Sequence, residues 1–302
     1  MATFRSSTSQ AKHAVQKKRA IGKSSHAKAG GDGKIHSLGT ERTYLESLKK
    51  VAEYITQNRL DYAGRGLSGL TSEIAESYLE HRSQDVGQKQ LDKDRQAMQI
   101  LLGVKLPIVK SELEQAQHSR AYTFQQIELI VSAQSQKHSL STQIAANAGL
   151  RAHELLTLMP VNLMRKLSDR KWTDDRFLGR NDVERYTVKG KGGLVREVAI
   201  SHDLSKRLEL LRLPVPQQFK DRDIYYSQFY DIGGGKQWSD SFTKAADREL
   251  GWTTGGHGVR HTYAQSRMMT LLSAGINYDL ALAIVSQEMG HFRPDITEVY
   301  LR

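Results

Sequence analysis

Cysteine is absent from the 302 residues. Its absence excludes disulfides, thiolate zinc centres, iron–sulfur clusters and any mechanism with a cysteine nucleophile. Long apolar runs are missing too. Apolar residues make up 38% of the chain and mean hydropathy is -0.54. Charges interrupt every stretch that approaches the ~20 apolar residues of a membrane-spanning helix. Met1 to Lys12 hold no apolar segment behind their basic residues, so no secretory signal is read and a cytoplasmic location is expected. The length leaves room for about two domains.

Acidic residues are in deficit. Lys and Arg number 44 against 33 Asp and Glu, a net charge of +11 with a pI near 9.6, which points to a polyanionic partner. Residues 1–38 carry Arg5, Lys12, Lys17, Lys18, Arg19, Lys23, Lys28 and Lys34 against Asp32 alone, so +7 of the excess lies there. A tail rich in Ser, Gly and Lys cannot bury enough surface to fold alone; it is expected to be disordered in isolation and suited to neutralising phosphates. A merely solubilising tail is the plain alternative.

From Thr40, Tyr44, Leu48, Val51 and Ile55 recur at helical spacing to about Asn58. Gly64, Gly66 and Gly69 interrupt. Thr71 then caps a second helix with Ile74, Tyr78 and Leu79, and Gln90 to Leu102 reads as a third. Pro107 and a polar stretch up to Tyr122 read as a linker. Thr123 with Gln126, before Ile127 and Leu129, is a capping box opening a second domain. There, Thr142–Ala148 and Arg151–Leu158 read as helices on either side of Gly149. Residues 184–200 alternate around Gly190-Lys191-Gly192-Gly193 as a hairpin, and Ser239 caps a helix ending at Leu250 before Gly251. Helices resume near His257.

Two motif readings fail on chemistry. Gly190–Gly193 and Gly233–Lys236 lack the Gly-Lys-Ser/Thr order that cradles a nucleotide phosphate and its magnesium, and His257 and His261 have the spacing of a zinc pair but Gly258 stands where a metalloprotease keeps its glutamate base. A different grouping accounts for these residues: Gly149-Leu150-Arg151-Ala152-His153-Glu154-Leu155, then Gly190-Lys191-Gly192, then His257-Gly258-Val259-Arg260, then Gly290-His291, then Tyr300. In this order the set resembles the tyrosine recombinase (phage integrase) family over about residues 121–302, and the helices at 40–110 resemble that family's core-binding domain.

The resemblance implies a mainly α fold with a small β-sheet (α+β). It also implies a basic tail at 1–38, a helical core-binding domain of SAM-like type at 39–103, a linker at 104–121 and a catalytic domain at 122–302. In the implied chemistry Arg151 and Arg260 hold the attacked phosphate, because the guanidinium fork donates paired hydrogen bonds and stays charged. His257 donates to a non-bridging oxygen and assists proton transfer, His291 is a hydrogen-bond partner of the phosphate or the nucleophile, and Glu154 buttresses Arg151. Tyr300, nine residues after His291, is the nucleophile, a weak one that needs neighbouring cations. Lys191 protonates the leaving 5′-oxygen, with Lys189 as the alternative.

No cofactor, ATP or metal is implied. The implied partners are double-stranded DNA attachment sites, a homotetramer on two duplexes and DNA-bending accessory proteins, without a membrane, for integration or excision of a mobile element. Two departures from the family stand out. Arg260 to His291 is a 31-residue step, longer than the family's interval, which reads as an insertion near Met268–Tyr278. The sequence also stops at Arg302, where many relatives continue with a helix that docks on a neighbouring subunit. The alternatives are a type IB topoisomerase, a non-catalytic DNA-binding regulator and, last, a metal-dependent nuclease.

Overall fold

The structure, a computed structural model, describes residues 5–23, 32–58, 60, 66–113 and 119–302. Lys28, Gly64 and residues 114–118 of the expected linker lie outside the described residues. The chain divides into two compact units, 1–116 and 117–302. It is mainly helical with two small antiparallel sheets. Among the described residues no helix is long and apolar enough to cross a membrane.

The first unit holds α1 (Ser7–Lys18), α2 (Leu38–Gln57), α3 (Ser72–Ser83) and α4 (Gln88–Leu102). The stripe Tyr44, Leu48, Val51 and Ile55 of α2 packs against Tyr78, Leu79, Leu91 and Met98 as one core. Asp94 is buried inside it and accepts hydrogen bonds from Ser47, Gln90 and Tyr78, so its charge is met rather than stranded. The tail expected to be disordered is corrected here. Ser6 caps α1, and Ala11 and Val15 are buried in the core beside α2. The Ala20 N–H donates to the Ile35 carbonyl and the Ile35 N–H to the Lys18 carbonyl, both at 2.8 Å. The composition argues against folding alone, and within this unit α1 completes a core that other helices supply.

The second unit begins with the capping box of Thr123 and Gln126 on α5 (Phe124–Ser132), followed by α6 (Gln136–Ala148). Gly149 ends α6 in the left-handed region, φ 62. Arg151–Leu158, expected to be helical, instead form turns and a 3₁₀ turn at Leu155–Thr157. Their backbone closes at the shorter spacing, Glu154 N–H to Arg151 O and Thr157 N–H to Glu154 O, while the Glu154 side chain takes the Arg151 N–H.

The hairpin forms from β1 (Val183–Lys189) and β2 (Val195–Ser201), paired from Val183 with Ser201 to Lys189 with Val195. After α7 (His202–Glu209) comes a second ribbon, β3 (Arg212–Asp221) with β4 (Ile224–Tyr230), which the sequence pattern does not announce. Pro214 and Pro216 lack the N–H a ladder needs, and the register breaks between Arg212 and Gln217. The next helix, α8 (Gly235–Leu250), starts a turn earlier than expected, so Ser239 is not its cap but bonds the Gly235 carbonyl from inside the helix. The end of the chain is α9 (Gly258–Ser273), α10 (Tyr278–Glu288) and α11 (Pro294–Glu298). The long step from Arg260 to His291 is spanned by α9, unbroken through Met268, and by α10.

Candidate active site

Glu154 organises the site from below. Its Oε1 accepts from the Arg151 guanidinium at 2.9 Å and its Oε2 from the Arg151 backbone N–H at 2.8 Å and from Arg196 at 2.8 Å. Arg260 stands 3.8 Å away. Glu154, Arg196 and Arg260 have no exposed surface. Burial alone opposes the carboxylate's charge, but Arg196, Arg260 and Arg151 together outweigh it and hold the group well below the usual carboxylate range. Glu154 is therefore an anion that fixes arginines, and it has little basicity to offer a substrate.

Arg260 projects from the first turn of α9. Its guanidinium donates to the carbonyls of Gly149 and Met289 and meets His291 Nε2 at 3.1 Å. The C-terminal ends of α6 and α10 are thereby tied to α9. Burial, then repulsion from Arg151, lowers Arg260 to about 10, which leaves it a cation at neutral pH. With no exposed surface, this guanidinium meets a solute only after a covering side chain moves aside.

Tyr300 is one of the side chains packed beside it. It is 8% exposed, its ring lies 5.6 Å from the Arg260 guanidinium carbon, and its N–H is held by the Thr297 carbonyl at 2.8 Å. Three imidazoles surround the ring, with centroids at 4.6 Å for His261, 5.0 Å for His291 and 5.3 Å for His257. Burial and the Arg260 charge push His257 and His291 down to about 3, and burial with Arg120 pushes His261 down to about 4. All three are neutral at pH 7, so each offers one donor and one acceptor.

The structure thus brings Arg151, His257, Arg260, His291 and Tyr300 together and leaves Lys191 exposed at the hairpin turn. The turn is nonetheless anchored to the site. A Cβ on Gly190 would lie 2.8 Å from Glu154 Oε1, and the Lys189 backbone exchanges hydrogen bonds with Thr157 Oγ1. Among the described residues no group of three His, Cys, Asp or Glu side chains is arranged to hold a metal ion.

Three features escape the sequence reading. His261, readable only as a zinc partner of His257, sits one turn along the same helix and faces Tyr300; its Nδ1 is buried without a partner. Arg196 on β2 links Glu154 to the Glu288 carbonyl, which it reaches at 2.7 Å. The Glu288 carboxylate in turn accepts from Arg267 Nε and Nη2, the Tyr263 hydroxyl and the Phe177 N–H. Residue identity signals none of this, since a buried and an exposed arginine look alike in a sequence.

No family model matches the sequence, and no curated protein matches it. In fold the chain is similar to the XerH site-specific recombinase bound to palindromic difH substrate in a post-cleavage complex. The TM-score is 0.57 at 16% identity, covering 88% of this chain and 77% of that one. It is also similar to a lambda integrase dimer bound to a COC′ core site, with a TM-score of 0.52 at 12% identity, covering 88% of this chain and 89% of that one. The chain has the fold of these DNA recombinases.

Proposed function

We propose that the chain is a tyrosine-type site-specific DNA recombinase, and that residues 39–103 and 122–302 act as its DNA-binding core module and its catalytic domain. The observation that carries this reading is Tyr300 seated among three neutral imidazoles and the Arg260 cation, in a recombinase fold.

Tyr300 Oη attacks the phosphorus of one strand and passes its proton to a neutral imidazole of the surrounding set. Arg151 and Arg260 take the charge that builds on the non-bridging oxygens, where fixed donors stabilise a transition state most. The bond from phosphorus to the 5′-oxygen breaks, and Lys191, carried by the exposed hairpin turn, delivers the proton that the leaving oxygen needs. The product is a 3′-phosphotyrosyl link and a free 5′-hydroxyl. Bond energy is kept in the link, so a 5′-hydroxyl from a second duplex reverses the step without a nucleotide cofactor. Two rounds by four protomers on two duplexes pass through a Holliday junction and serve integration or excision of a mobile element, aided by proteins that bend the DNA.

The test mixes the purified protein with nicked duplexes tiled across the DNA flanking its gene and looks for a covalent adduct on a denaturing gel. An adduct that survives chelator and disappears in Tyr300→Phe is expected. Tight, salt-sensitive binding without any adduct overturns the catalytic reading in favour of a DNA-binding regulator. Relaxation of supercoils without sequence preference turns it toward a topoisomerase.

A further inference from the structure

The end of the segment expected to be a linker is strapped to α9 and the residues before it. Tyr122 exchanges backbone hydrogen bonds with Thr262 Oγ1 at 2.9 and 2.7 Å, and its hydroxyl accepts from the Thr254 N–H at 2.7 Å. Its ring stacks on Trp252, centroids 5.2 Å apart. Arg120 closes the strap: its carbonyl accepts from Thr254 Oγ1 at 2.8 Å and its Nη2 donates to the Thr254 carbonyl at 3.0 Å. The Arg120 carbonyl lies so close to the start of α9 that a Cβ on Gly258 would come within 2.5 Å of it. Arg120 is therefore fixed beside His257, although its side chain is exposed.

We propose that Arg120 is a further phosphate-binding residue of this site, gripping a phosphate of the same strand next to the one that Tyr300 attacks. The inference rests on the recombinase reading. Among the described residues no carboxylate lies within ion-pair distance of Arg120, whereas Arg151, Arg196 and Arg260 all pair with Glu154. A single carbonyl contact leaves most of its donors free for a ligand. Its charge reaches the imidazoles beside Tyr300: both His257 and His261 feel Arg120 together with Arg260. Arg120 is held at the start of α9, the helix that carries His261 and Arg260, so an anionic strand lying over these residues meets its guanidinium as well. An exposed, acid-free arginine on a rigid backbone is suited to that contact, because little ordering is needed when the phosphate arrives.

The test measures affinity of the full-length protein for its duplex, with each phosphate around the cleavage position replaced in turn by a neutral methylphosphonate. One replacement beside the attacked phosphate is expected to weaken wild type by about tenfold. Arg120→Ala is expected to lose about as much on unmodified DNA, to be insensitive to that one replacement, and to flatten the salt dependence by about one unit of slope. Arg120→Lys recovers part of the affinity while keeping the slope. Equal sensitivity of Arg120→Ala and wild type at every flanking phosphate overturns the inference, including the case in which the substitution merely loosens the strap. The scan reads affinity, so absence of a Tyr300-dependent adduct in wild type overturns the functional reading separately.

Discussion

Arg196 and Glu154 meet at 2.8 Å with neither side chain exposed to solvent, and this pair ties strand β2 of the hairpin to the carboxylate that Arg151 and Arg260 also face. Removing one partner of a buried pair costs roughly 3–5 kcal/mol. Arg196→Ala is expected to lower unfolding free energy toward the lower end of that range, because Arg151 and Arg260 still face Glu154, whereas Arg196→Met with Glu154→Leu recovers none of it, since the fully buried Arg260 then loses its counter-charge. Chemical denaturation checks both. A loss below about 1 kcal/mol in the single variant contradicts a buried Arg196–Glu154 pair.

The three imidazoles around Tyr300 set a pH dependence whose direction is fixed. His257 and His291 lie near 3 and His261 near 4 in the folded protein, against an ordinary value of 6.5, so the unfolded chain binds more protons below pH 6.5. Stability then falls as pH drops from about 6.5 toward 4, and Glu154, held below the ordinary carboxylate value of 4.5, adds a further loss under that pH. Histidine NMR titration is the direct check. The three ring signals should remain those of neutral imidazole at pH 5.5; titration of any of them near 6.5 removes that residue from the buried set.

Much of this site is legible in the sequence because its parts sit at element ends with strong local signals. Gly149 after an apolar helix, the Gly-rich turn of 190–193 and the capping box at Thr123 each dictate where the chain must turn, and the motif residues lie beside those turns. What remained hidden depends on tertiary burial. Ala11 and Val15 are too few to mark α1 as a core element, yet they are buried once α2 is beside them. The β3–β4 ribbon has two prolines and no clean alternation, so neither of its strands reads as one. Arg120 looks like linker charge until the hydrogen bonds of Tyr122 and Thr254 fix it in place.

Lys191 and Lys189 can be separated by changing the leaving group. If Lys191 supplies the proton to the 5′-oxygen, Lys191→Ala should cleave poorly yet bind DNA with only a small loss. A substrate carrying sulfur at the bridging 5′ position should restore its cleavage, because a thiolate leaves without protonation. The same substrate should leave Tyr300→Phe inactive, since the nucleophile is missing whatever the leaving group. Gel assays of adduct formation over time measure both. Rescue of Lys189→Ala instead of Lys191→Ala assigns the acid to the strand rather than the turn.

The contact between Gly190 and Glu154 offers a test of whether the hairpin and the arginine cluster must stay in register. Gly190 has φ -86, a backbone that alanine adopts freely, so its substitution introduces no left-handed strain. The added Cβ would fall 2.8 Å from Glu154 Oε1, an oxygen already committed to Arg151 and belonging to a side chain with no exposed surface. Something must yield. The carboxylate is pinned by Arg196 through its other oxygen, so the strain should pass to the turn, displacing Lys191, or to the Arg151 contact. Gly190→Ala is thus expected to cost about 1–3 kcal/mol of stability, the range for forcing a methyl into packed space. It should slow adduct formation by more than it weakens DNA binding, since binding draws on many phosphates and cleavage on one. Gly192, with open space around its missing Cβ but φ 72, is the control. Its alanine variant strains only the turn's backbone, by about 1 kcal/mol, and leaves Glu154 and Arg151 undisturbed. Equal adduct rates for the two variants argue that the turn's conformation governs the reaction; a slower Gly190→Ala points to the contact with Glu154.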